Sequence, residues 1–323
     1  MKDDLKLLNN LTKDYKALKR SFQSKYWGKA EDLITKEIYK HGVSNFRSMP
    51  TISKGFEDIL IKYPYEGKRS LNIFILIDRI LKFIPLVSST LKPYHNTIDK
   101  LVDEIQCYRS IEYSRDYGEW FDKNMSKIKN LNTLIGNPNN NYIINEKKIS
   151  SSYFRSLLYL DNISIFTSLE KKTSFCEIGG GFGSLSHCVN HLYPNIRKIL
   201  FVEVPSVAYL ATCYLKEIYG DMIIDYNTTR SLESFKFKSN NDLEICVIPP
   251  WELEKITSNI EIFYSSNAFQ IMEFDMIDKY MNSINRLKIN DSSILILKTL
   301  KKKEYQESFI DSELLIKRFT QYY

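Results

Sequence analysis

The chain from residue 173 onward alternates short apolar runs with amphipathic stretches, and this alternation limits the fold more than any other feature. Strands are predicted over residues 174–178, 198–204, 222–226, 243–248, 260–265 and 293–299. Helices are predicted over residues 184–192, 205–219 and 273–287, where apolar residues recur at helical spacing. Strands that alternate with helices are typical of a parallel sheet covered by crossover helices. The sequence therefore predicts an α/β fold.

Residues 1–135 have a different character, with apolar residues such as Leu5, Leu8 and Leu11 at helical spacing and no strand-like alternation. Helices are also predicted over residues 71–87 and 98–111. The segment 132–141 is rich in Asn, Gly and Pro, which favour turns. We therefore predict an all-α N-terminal domain over residues 1–135, which covers a substrate or mediates oligomerisation, and a ligand-binding domain over residues 136–323. A helix over 150–166 is expected to open the second domain, with Ser150, Ser151 and Ser152 available as caps.

Composition excludes several classes of protein. A hydrophobic content of 43% and a charged content of 26% are ordinary for a soluble globular protein. The N-terminus has no apolar leader, and the most apolar stretch, 71–86, contains Asp78, Arg79 and Lys82, so no membrane span is expected. The five cysteines form no C-x-x-C pair and are predicted to be buried free thiols. Together these features predict a cytoplasmic protein.

Positive charge is concentrated in the first half of the chain. Residues 1–150 contain 26 Lys and Arg against 18 Asp and Glu, whereas the remainder is slightly acidic. Such an excess attracts anionic partners, which include phosphates, nucleic acid and an anionic lipid surface. A solvated helical surface in a lysine-rich chain is the simpler interpretation. Peripheral membrane association through this region and a homo-oligomer remain open, and no nucleic-acid partner is expected.

A glycine-rich segment follows the first strand of the alternating region. Residues 174–183 read Ser-Phe-Cys-Glu-Ile-Gly-Gly-Gly-Phe-Gly, with glycines at Gly179, Gly180, Gly181 and Gly183. Glycine lets backbone N–H groups approach a ligand without an intervening Cβ, and the helix that follows points its positive end at the same place. The dinucleotide pattern G-x-G-x-x-G would place the third glycine one residue later. Glu177, two residues before the first glycine, does not belong to that pattern.

A second acid closes the next strand. Glu203 ends the apolar run that follows the glycine segment and its helix, and it directly precedes a helix that begins at Pro205. The carboxyl ends of parallel strands face the ligand crevice, where an acid can accept hydrogen bonds from a ribose diol. Four further residues at this edge are expected to contact a cofactor: Val204, Pro205, Pro249 and Ser266.

These segments resemble those of class I, Rossmann-type S-adenosylmethionine-dependent methyltransferases, and more narrowly those of bacterial sugar O-methyltransferases. The resemblance covers about residues 130–300 and rests on the following strings: 177–183, Glu-Val-Pro-Ser at 203–206, Leu-Ala-Thr-Cys-Tyr-Leu at 210–215, Gly-Asn-Pro at 136–138 and Asn-Ala-Phe-Gln-Ile-Met-Glu at 267–273. Two residues depart from the family pattern, since Glu203 replaces the usual Asp and Phe274 replaces a second Met. The segment 301–323 is also short for the hairpin that closes the sheet of this fold.

The resemblance implies S-adenosylmethionine as cofactor, bound by Glu177, the four glycines and Glu203. It also implies a saccharide acceptor, either a nucleotide sugar or a glycan of a surface polysaccharide such as capsule or O-antigen. Because sugar hydroxyls are very weak acids, methyl transfer to them needs a group that orients the oxygen and accepts its proton.

Three residues are candidates for the catalytic role. Asn267 follows the fourth strand and Glu273 lies near the start of a helix, where complementing the helix dipole explains it equally well. His95, in the helical region, is a further candidate base. No acidic doublet ends the strand at 260–265, so no metal is expected.

Other residues have a structural interpretation beside the functional one. His187 and His191 are four residues apart on a helix, and a packed or surface pair is favoured over two metal ligands because Cys188, not Glu, follows His187. Tyr153 and Arg155 are predicted either to contact the cofactor carboxylate or acceptor, or to lie on a helix surface. Trp251 is expected either to stack on adenine or to pack in the core.

Two alternative functions remain open. The basic N-terminal region would also suit an RNA methyltransferase, although base N-methylases commonly carry an Asn/Asp-Pro-Pro-aromatic turn and residues 267–270 contain no proline. A non-catalytic partner with an adenosylmethionine-binding fold is the other alternative, and the intact Glu177, glycine segment and Glu203 argue against it.

Overall fold

A computed structural model describes residues 1–18, 25–52, 123–124, 126–139, 141–144, 147–289, 292–299 and 310–322. The predictions made for His95, for Cys107 and for helices over 71–87 and 98–111 lie outside these residues. Helices in the described part are α1 Leu5–Ala17, α2 Lys25–His41, α3 Ser151–Phe166, α4 Ser184–Leu192, α5 Pro205–Tyr219, α6 Tyr226–Thr229, α7 Phe274–Leu287 and α8 Ser312–Phe319. Strands are β1 Asn141–Ile144, β2 Lys147–Ser150, β3 Ser174–Ile178, β4 Lys198–Val202, β5 Ile223–Ile224, β6 Glu244–Ile248, β7 Ile262–Ser266 and β8 Ile294–Lys298.

Six of these strands form one parallel sheet in the order β5-β6-β4-β3-β7-β8. The chain runs from β3 to β4, then to the edge strand β5 and back to β6 beside β4, and it then crosses to place β7 on the other side of β3. In open α/β sheets, ligands bind at the carboxyl ends of the strands where the order reverses in this way. The predicted Rossmann-like α/β sheet is therefore confirmed.

The register of the central strands brings the candidate residues to one edge. Glu177 is paired with Phe201 on β4 and with Tyr264 on β7. The chain leaves all three strands within a few residues of this level, into the glycine segment, Glu203 and Asn267 respectively. The carboxyl ends of β3, β4 and β7 therefore form a single cluster.

Both faces of the sheet are covered by apolar packing. Phe175 and Phe201 belong to the core beneath α3, α4 and α5, whereas Cys176 and Val202 point to the opposite core beneath α7 and α8. Adjacent residues of one strand point to opposite faces, so burial on both sides requires nearly continuous apolar strands. This accounts for the apolar runs in the sequence.

The N-terminal helices pack against α5 and α6. Leu7, Leu8 and Leu11 are buried in the same core as Phe175, whereas Leu5 is exposed. The Asp4 N–H donates to Tyr209 Oη (3.1 Å), and Asp14 accepts from Tyr226 Oη (2.6 Å) and pairs with Arg230 (2.5 Å). The described N-terminal helices thus share a core with the sheet. The domain boundary at residue 135 stays a prediction.

Local features differ from expectation in several places. The strand predicted over 222–226 is confined to Ile223–Ile224, and Asp225 caps helix α6, which begins at Tyr226. The antiparallel hairpin of β1 and β2 was not predicted, because its Asn- and Lys-rich residues lack an apolar alternation. Ser150 does precede α3, but its hydroxyl makes no capping bond there; it accepts a hydrogen bond from the buried Arg47 guanidinium instead. Burying a cation is costly unless polar groups accept hydrogen bonds from it.

Four of the five cysteines lie in the described residues. Cys176, Cys188, Cys213 and Cys246 are buried free thiols, as predicted. Within the described residues, no helix combines the length and apolar character needed to cross a bilayer.

Candidate functional site

The glycine segment adopts backbone conformations that favour glycine. Gly179, Gly181 and Gly183 have φ angles of 71°, 67° and 96°, in the left-handed region. A Cβ on Gly179 would lie 2.3 Å from Ala268 Cβ, and one on Gly180 would lie 2.3 Å from the Glu177 carboxyl group. The segment therefore packs tightly against both the end of β3 and the turn after β7.

Glu177 supports this segment from behind. Its side chain is 3% exposed, and Oε2 accepts hydrogen bonds from the Ser186 N–H (3.1 Å) and Ser186 Oγ (2.5 Å) in the first turn of α4. Burial raises the pKa of Glu177 to about 8, the bonds from Ser186 oppose that rise, and the neighbouring Glu203 adds to it. Glu177 thus fixes the glycine segment to the helix that follows it.

Glu203 joins the two predicted halves of the cofactor site. Oε2 accepts from the Gly181 N–H (2.9 Å) and Oε1 accepts from the Val204 N–H (2.8 Å). The carboxyl group is 6% exposed, and burial raises its pKa to about 7 against the lowering effect of these two N–H groups. The acid at the end of β4 and the glycine segment after β3 are therefore in direct contact.

The other predicted cofactor residues lie at the same carboxyl edge. Val204 is half-buried directly after Glu203, and Pro205 is the first residue of α5. Pro249 is buried immediately after β6, whose Ile248 carbonyl accepts from the Glu203 N–H (3.1 Å). Ser266 ends β7. The structure brings all four to the edge that the sequence predicted.

Asn267 begins the turn after β7 in a left-handed conformation, with φ 64°. Its N–H donates to the Lys298 carbonyl (2.8 Å) and its side-chain amide nitrogen to Ser266 Oγ (3.3 Å). Asn267 Oδ1 is buried and has no hydrogen-bond partner among the described residues. A buried acceptor left without a donor costs free energy, which makes it a place where a ligand donor binds favourably.

Glu273 lies beyond Asn267, exposed at the N-cap of α7, and its side chain makes no capping hydrogen bond. This position is the one the sequence predicted, at the start of a helix. The catalytic roles of Glu273 and Asn267 stay predictions.

The donor and acceptor pattern indicates what kind of nucleoside fits the edge. Two buried carboxyl groups, Glu177 and Glu203, flank the glycine segment, and Glu203 already occupies the Gly181 N–H that a phosphate would need. In their ionised forms these groups disfavour an anionic pyrophosphate and favour a ribose diol and a cationic centre. The tight glycine turn and the unpartnered Asn267 Oδ1 add a close-approach surface and an acceptor. These residues fit S-adenosylmethionine better than a dinucleotide.

Several residues considered from sequence lie in the core. Trp251 stacks on Tyr15 of α1 (6.2 Å between ring centroids) and donates to Tyr226 Oη (3.2 Å), so it packs between elements. His187 is buried, with Nδ1 2.5 Å from Tyr153 Oη, and burial lowers its pKa to about 4. The core interpretation of Trp251 and the packed interpretation of His187 agree with these contacts, and Tyr153 belongs to the core as well.

Arg155, on α3, differs from these core residues. It is half-buried and close enough for its charge to lower the pKa of Glu177. Its role toward a cofactor or acceptor stays a prediction. Among the described residues, no group of three or more His, Cys, Asp or Glu side chains is arranged to hold a metal ion.

Two buried residues from the N-terminal region reach the site and were not predicted. Glu31 of α2 accepts hydrogen bonds from the N–H (3.0 Å) and Oγ (2.6 Å) of Ser206, at the start of α5. The Arg47 guanidinium lies 4.5 Å from the ring centroid of Phe182, inside the glycine segment. Both contacts join residues that are far apart in the sequence, and no local motif marks either residue.

Comparison with known proteins gives limited likeness. No family model matches the chain, and no curated protein matches it. Among solved structures, the pyocyanin biosynthetic protein PhzM aligns at a TM-score of 0.37 and 13% identity, covering 53% of this chain and 50% of that one. The mitomycin 7-O-methyltransferase MmcR aligns at 0.32 and 19%, covering 51% and 41%. Coclaurine N-methyltransferase, bound to N-methylheliamine and SAH, aligns at 0.31 and 14%, covering 70% and 62%.

This chain spans about half the length of the first two of these structures. Likeness of this degree assigns no activity. The sheet order and the contacts at the carboxyl edge of the sheet are therefore the basis for any functional statement.

Proposed function

We propose that this protein binds S-adenosylmethionine and transfers its methyl group to a hydroxyl of a saccharide. The observation that carries the proposal is the hydrogen bond from the Gly181 N–H to Glu203 Oε2, at the point where the strand order reverses. It puts an acidic acceptor suited to a ribose diol against a glycine turn suited to close backbone approach. The carboxyl edge of β3, β4 and β7 is thereby a nucleoside site that disfavours pyrophosphate.

Each group at the edge has a role in this proposal. Glu203 accepts from the ribose hydroxyls, Val204 and Pro249 contact the adenine side, and the glycine segment contacts the amino-acid end. Glu177 holds that segment in shape. When bound, the cofactor would supply an electrophilic methyl group on a sulfonium, whose positive charge the two carboxyl groups would stabilise in their ionised forms.

The acceptor would approach from the turn after β7. Asn267 presents a buried acceptor oxygen to a hydroxyl donor and so orients it, and Glu273 takes the hydroxyl proton. The saccharide class rests on the resemblance of residues 267–273 and 203–215 to bacterial sugar O-methyltransferases. A nucleotide sugar or a glycan of a surface polysaccharide is the substrate class that this resemblance supports.

The test is incubation of the protein with labelled S-adenosylmethionine and a panel of nucleotide sugars, extracted glycans and RNA. We expect label in at least one saccharide and none in RNA. Label in RNA alone would replace the saccharide acceptor with the nucleic-acid alternative. Calorimetry with unlabelled cofactor runs in parallel, and an absence of binding there would identify a non-catalytic protein instead.

A further inference from the structure

We propose that Glu31 is a positioning residue for the cofactor, which acts by fixing the turn that carries Glu203 and so makes helix α2 part of the cofactor site. This inference rests on the proposed function, because it concerns how the same site holds S-adenosylmethionine. It gives α2 a role in cofactor binding, which differs from the substrate covering or oligomerisation predicted for the N-terminal region from the sequence. The role is exerted through Ser206, not through direct contact with the reacting atoms.

The start of α5 has no capping side chain of its own. The N-cap residue of this helix is Val204, whose side chain cannot cap, so the first N–H groups need another acceptor. Glu31 supplies it from a different helix: its two oxygens lie 3.3 and 3.0 Å from the Ser206 nitrogen, and Oε1 lies 2.6 Å from Ser206 Oγ. With 3% of Glu31 exposed, these bonds are shielded from water.

Ser206 and Glu203 lie in the same hydrogen-bonded turn. Glu203 is three residues before Ser206, and its two oxygens are held by the Gly181 and Val204 N–H groups. The Ala208 N–H donates to the Val204 carbonyl (2.7 Å), which begins the helix at the same turn. A shift of Ser206 therefore moves Val204, and with it the carboxyl group that would accept from the ribose. Losing Glu31 should loosen Glu203 without touching the cofactor itself.

The charge of Glu31 should change how cofactor affinity depends on pH, which a contact that only packs against α5 would not do. Ionisable groups that interact with Glu203 in the described part of the chain include Glu31 from α2, Glu177 from β3 and Tyr280 from α7. Burial raises the pKa of Glu203 to about 7, and Glu31 raises it further when ionised; burial raises the pKa of Glu31 itself to about 7, so the two carboxyl groups titrate over the same pH range. Protonated Glu203 loses one acceptor oxygen, so cofactor affinity should rise as pH increases through the pKa of Glu203. Removing the charge of Glu31 should move that rise to lower pH.

The experiment measures the Kd of S-adenosylmethionine by calorimetry from about pH 5.5 to about pH 8.5, a range that brackets the Glu203 pKa. The proteins are the wild type, Glu31→Gln, Glu31→Ala and the control Glu170→Gln, which removes a charge from an exposed glutamate that precedes β3, at the opposite edge of the sheet. Gln keeps an oxygen for the Ser206 N–H, whereas Ala removes both acceptors.

We expect Glu31→Ala to weaken binding at pH 8 by about three- to tenfold, the loss typical of a helix cap. Glu31→Gln should bind with a midpoint at lower pH than the wild type, and Glu170→Gln should follow the wild type. Unchanged affinity and midpoint in both Glu31 variants would overturn the inference, as would weaker binding with an unmoved midpoint. If the wild type binds no cofactor at any pH, the proposed function itself fails, which is a different result from a wild type that binds and variants that match it.

Discussion

Gly179 is restricted to glycine by two separate constraints, its backbone conformation and the closeness of Ala268. Its φ is 71°, and an added Cβ would lie 2.3 Å from Ala268 Cβ. We expect Gly179→Ala to weaken cofactor binding by more than about tenfold and to destabilise the protein by about 2–4 kcal/mol, because the turn must move away from β7. Calorimetry with S-adenosylmethionine and urea unfolding measure the two effects.

Gly220 is the matched control for that substitution. It also has a positive φ, 57°, but no atom lies within 4 Å of the position of its Cβ. Gly220→Ala should therefore cost only the backbone strain of its φ 57°, ψ −126° conformation, about 1–3 kcal/mol, and leave the cofactor Kd unchanged. If the two variants lost affinity equally, the close approach of Gly179 to Ala268 would have no part in binding.

Glu203 is the residue on which the proposed nucleoside site most depends. Glu203→Ala removes the acceptor held between the Gly181 and Val204 N–H groups and should weaken cofactor binding by at least ~1.5 kcal/mol, or about tenfold. Glu170→Ala is the control, because this exposed glutamate precedes β3 and so lies at the opposite edge of the sheet. Calorimetry measures both, and equal affinities in the two variants would remove Glu203 from the site.

At the scale of elements, Arg47 connects the N-terminal region to the glycine segment. The side chain is 0% exposed, and its guanidinium donates to the carbonyls of Thr133 (2.7 Å) and Ile135 (3.0 Å) and to Ser152 Oγ (2.7 Å). It also lies over the Phe182 ring. One side chain thus holds together the 133–136 turn, the start of α3 and the segment that would contact the cofactor.

We expect Arg47→Ala to destabilise the protein by about 2–4 kcal/mol, since it leaves several buried acceptors unpaired and a cavity beside Phe182. Arg47→Lys should recover only part of this loss, because an ammonium group cannot reproduce the planar set of donors. Denaturant unfolding provides the measurement. Arg318→Ala on α8, which removes a more exposed pair with Asp278, should cost no more than about 1 kcal/mol. Equal losses from Arg47→Ala and Arg318→Ala would contradict the bridging role.

The sequence predicted those elements whose signals are local. Helix α5 begins at Pro205 and ends at Tyr219, and β3 spans 174–178, both as expected. The two ends of α5 have local signals, a proline at the first helical position and Gly220 directly after the last. The positions of Glu177, the glycines and Glu203 at one edge of the sheet also followed from the sequence, because these residues lie within a short stretch of it. Glu31 and Arg47 could not be found this way, because their partners Ser206 and Phe182 lie in a distant part of the sequence. The bond of Ser150 to Arg47 shows how such a contact displaces a locally predicted cap.

At the scale of the whole molecule, burial of ionisable groups couples stability to pH. Burial raises the pKa of Glu177 from 4.5 to about 8 and raises those of Glu31 and Glu203 to about 7. A carboxyl group whose folded pKa is raised contributes stability that is complete below about pH 4.5 and is lost as pH rises through the folded value. His187 acts in the opposite direction, because its lowered pKa of about 4 costs stability only as pH falls below about 6.5.

Above about pH 6.5 the three carboxyl groups are therefore the principal source of pH dependence among these buried groups. We expect the melting temperature of the protein without added ligand to fall as pH rises from about 6.5 to about 8.5. In Glu177→Gln the fall should be smaller, because the carboxamide keeps an acceptor for Ser186 and never ionises. At pH 8.5 the variant should melt roughly 2–4 °C above the wild type for each ~1 kcal/mol of charge burial it removes. Scanning calorimetry at several pH values gives the comparison.

Glu261 separates charge burial from the simple loss of a carboxylate acceptor. It accepts from the Thr173 N–H (2.6 Å) and Oγ1 (2.8 Å) much as Glu177 accepts from Ser186, but it is partly exposed and lies at the amino edge of β7. Glu261→Gln should therefore leave the slope of melting temperature against pH as in the wild type. If both variants flattened the slope equally, or if neither did, burial of the carboxyl groups beside the glycine segment would not be what ties stability to pH. A flatter slope in Glu177→Gln alone would mean that folding keeps ionisable acids at this edge despite their cost to stability, as expected for a site that binds a cation.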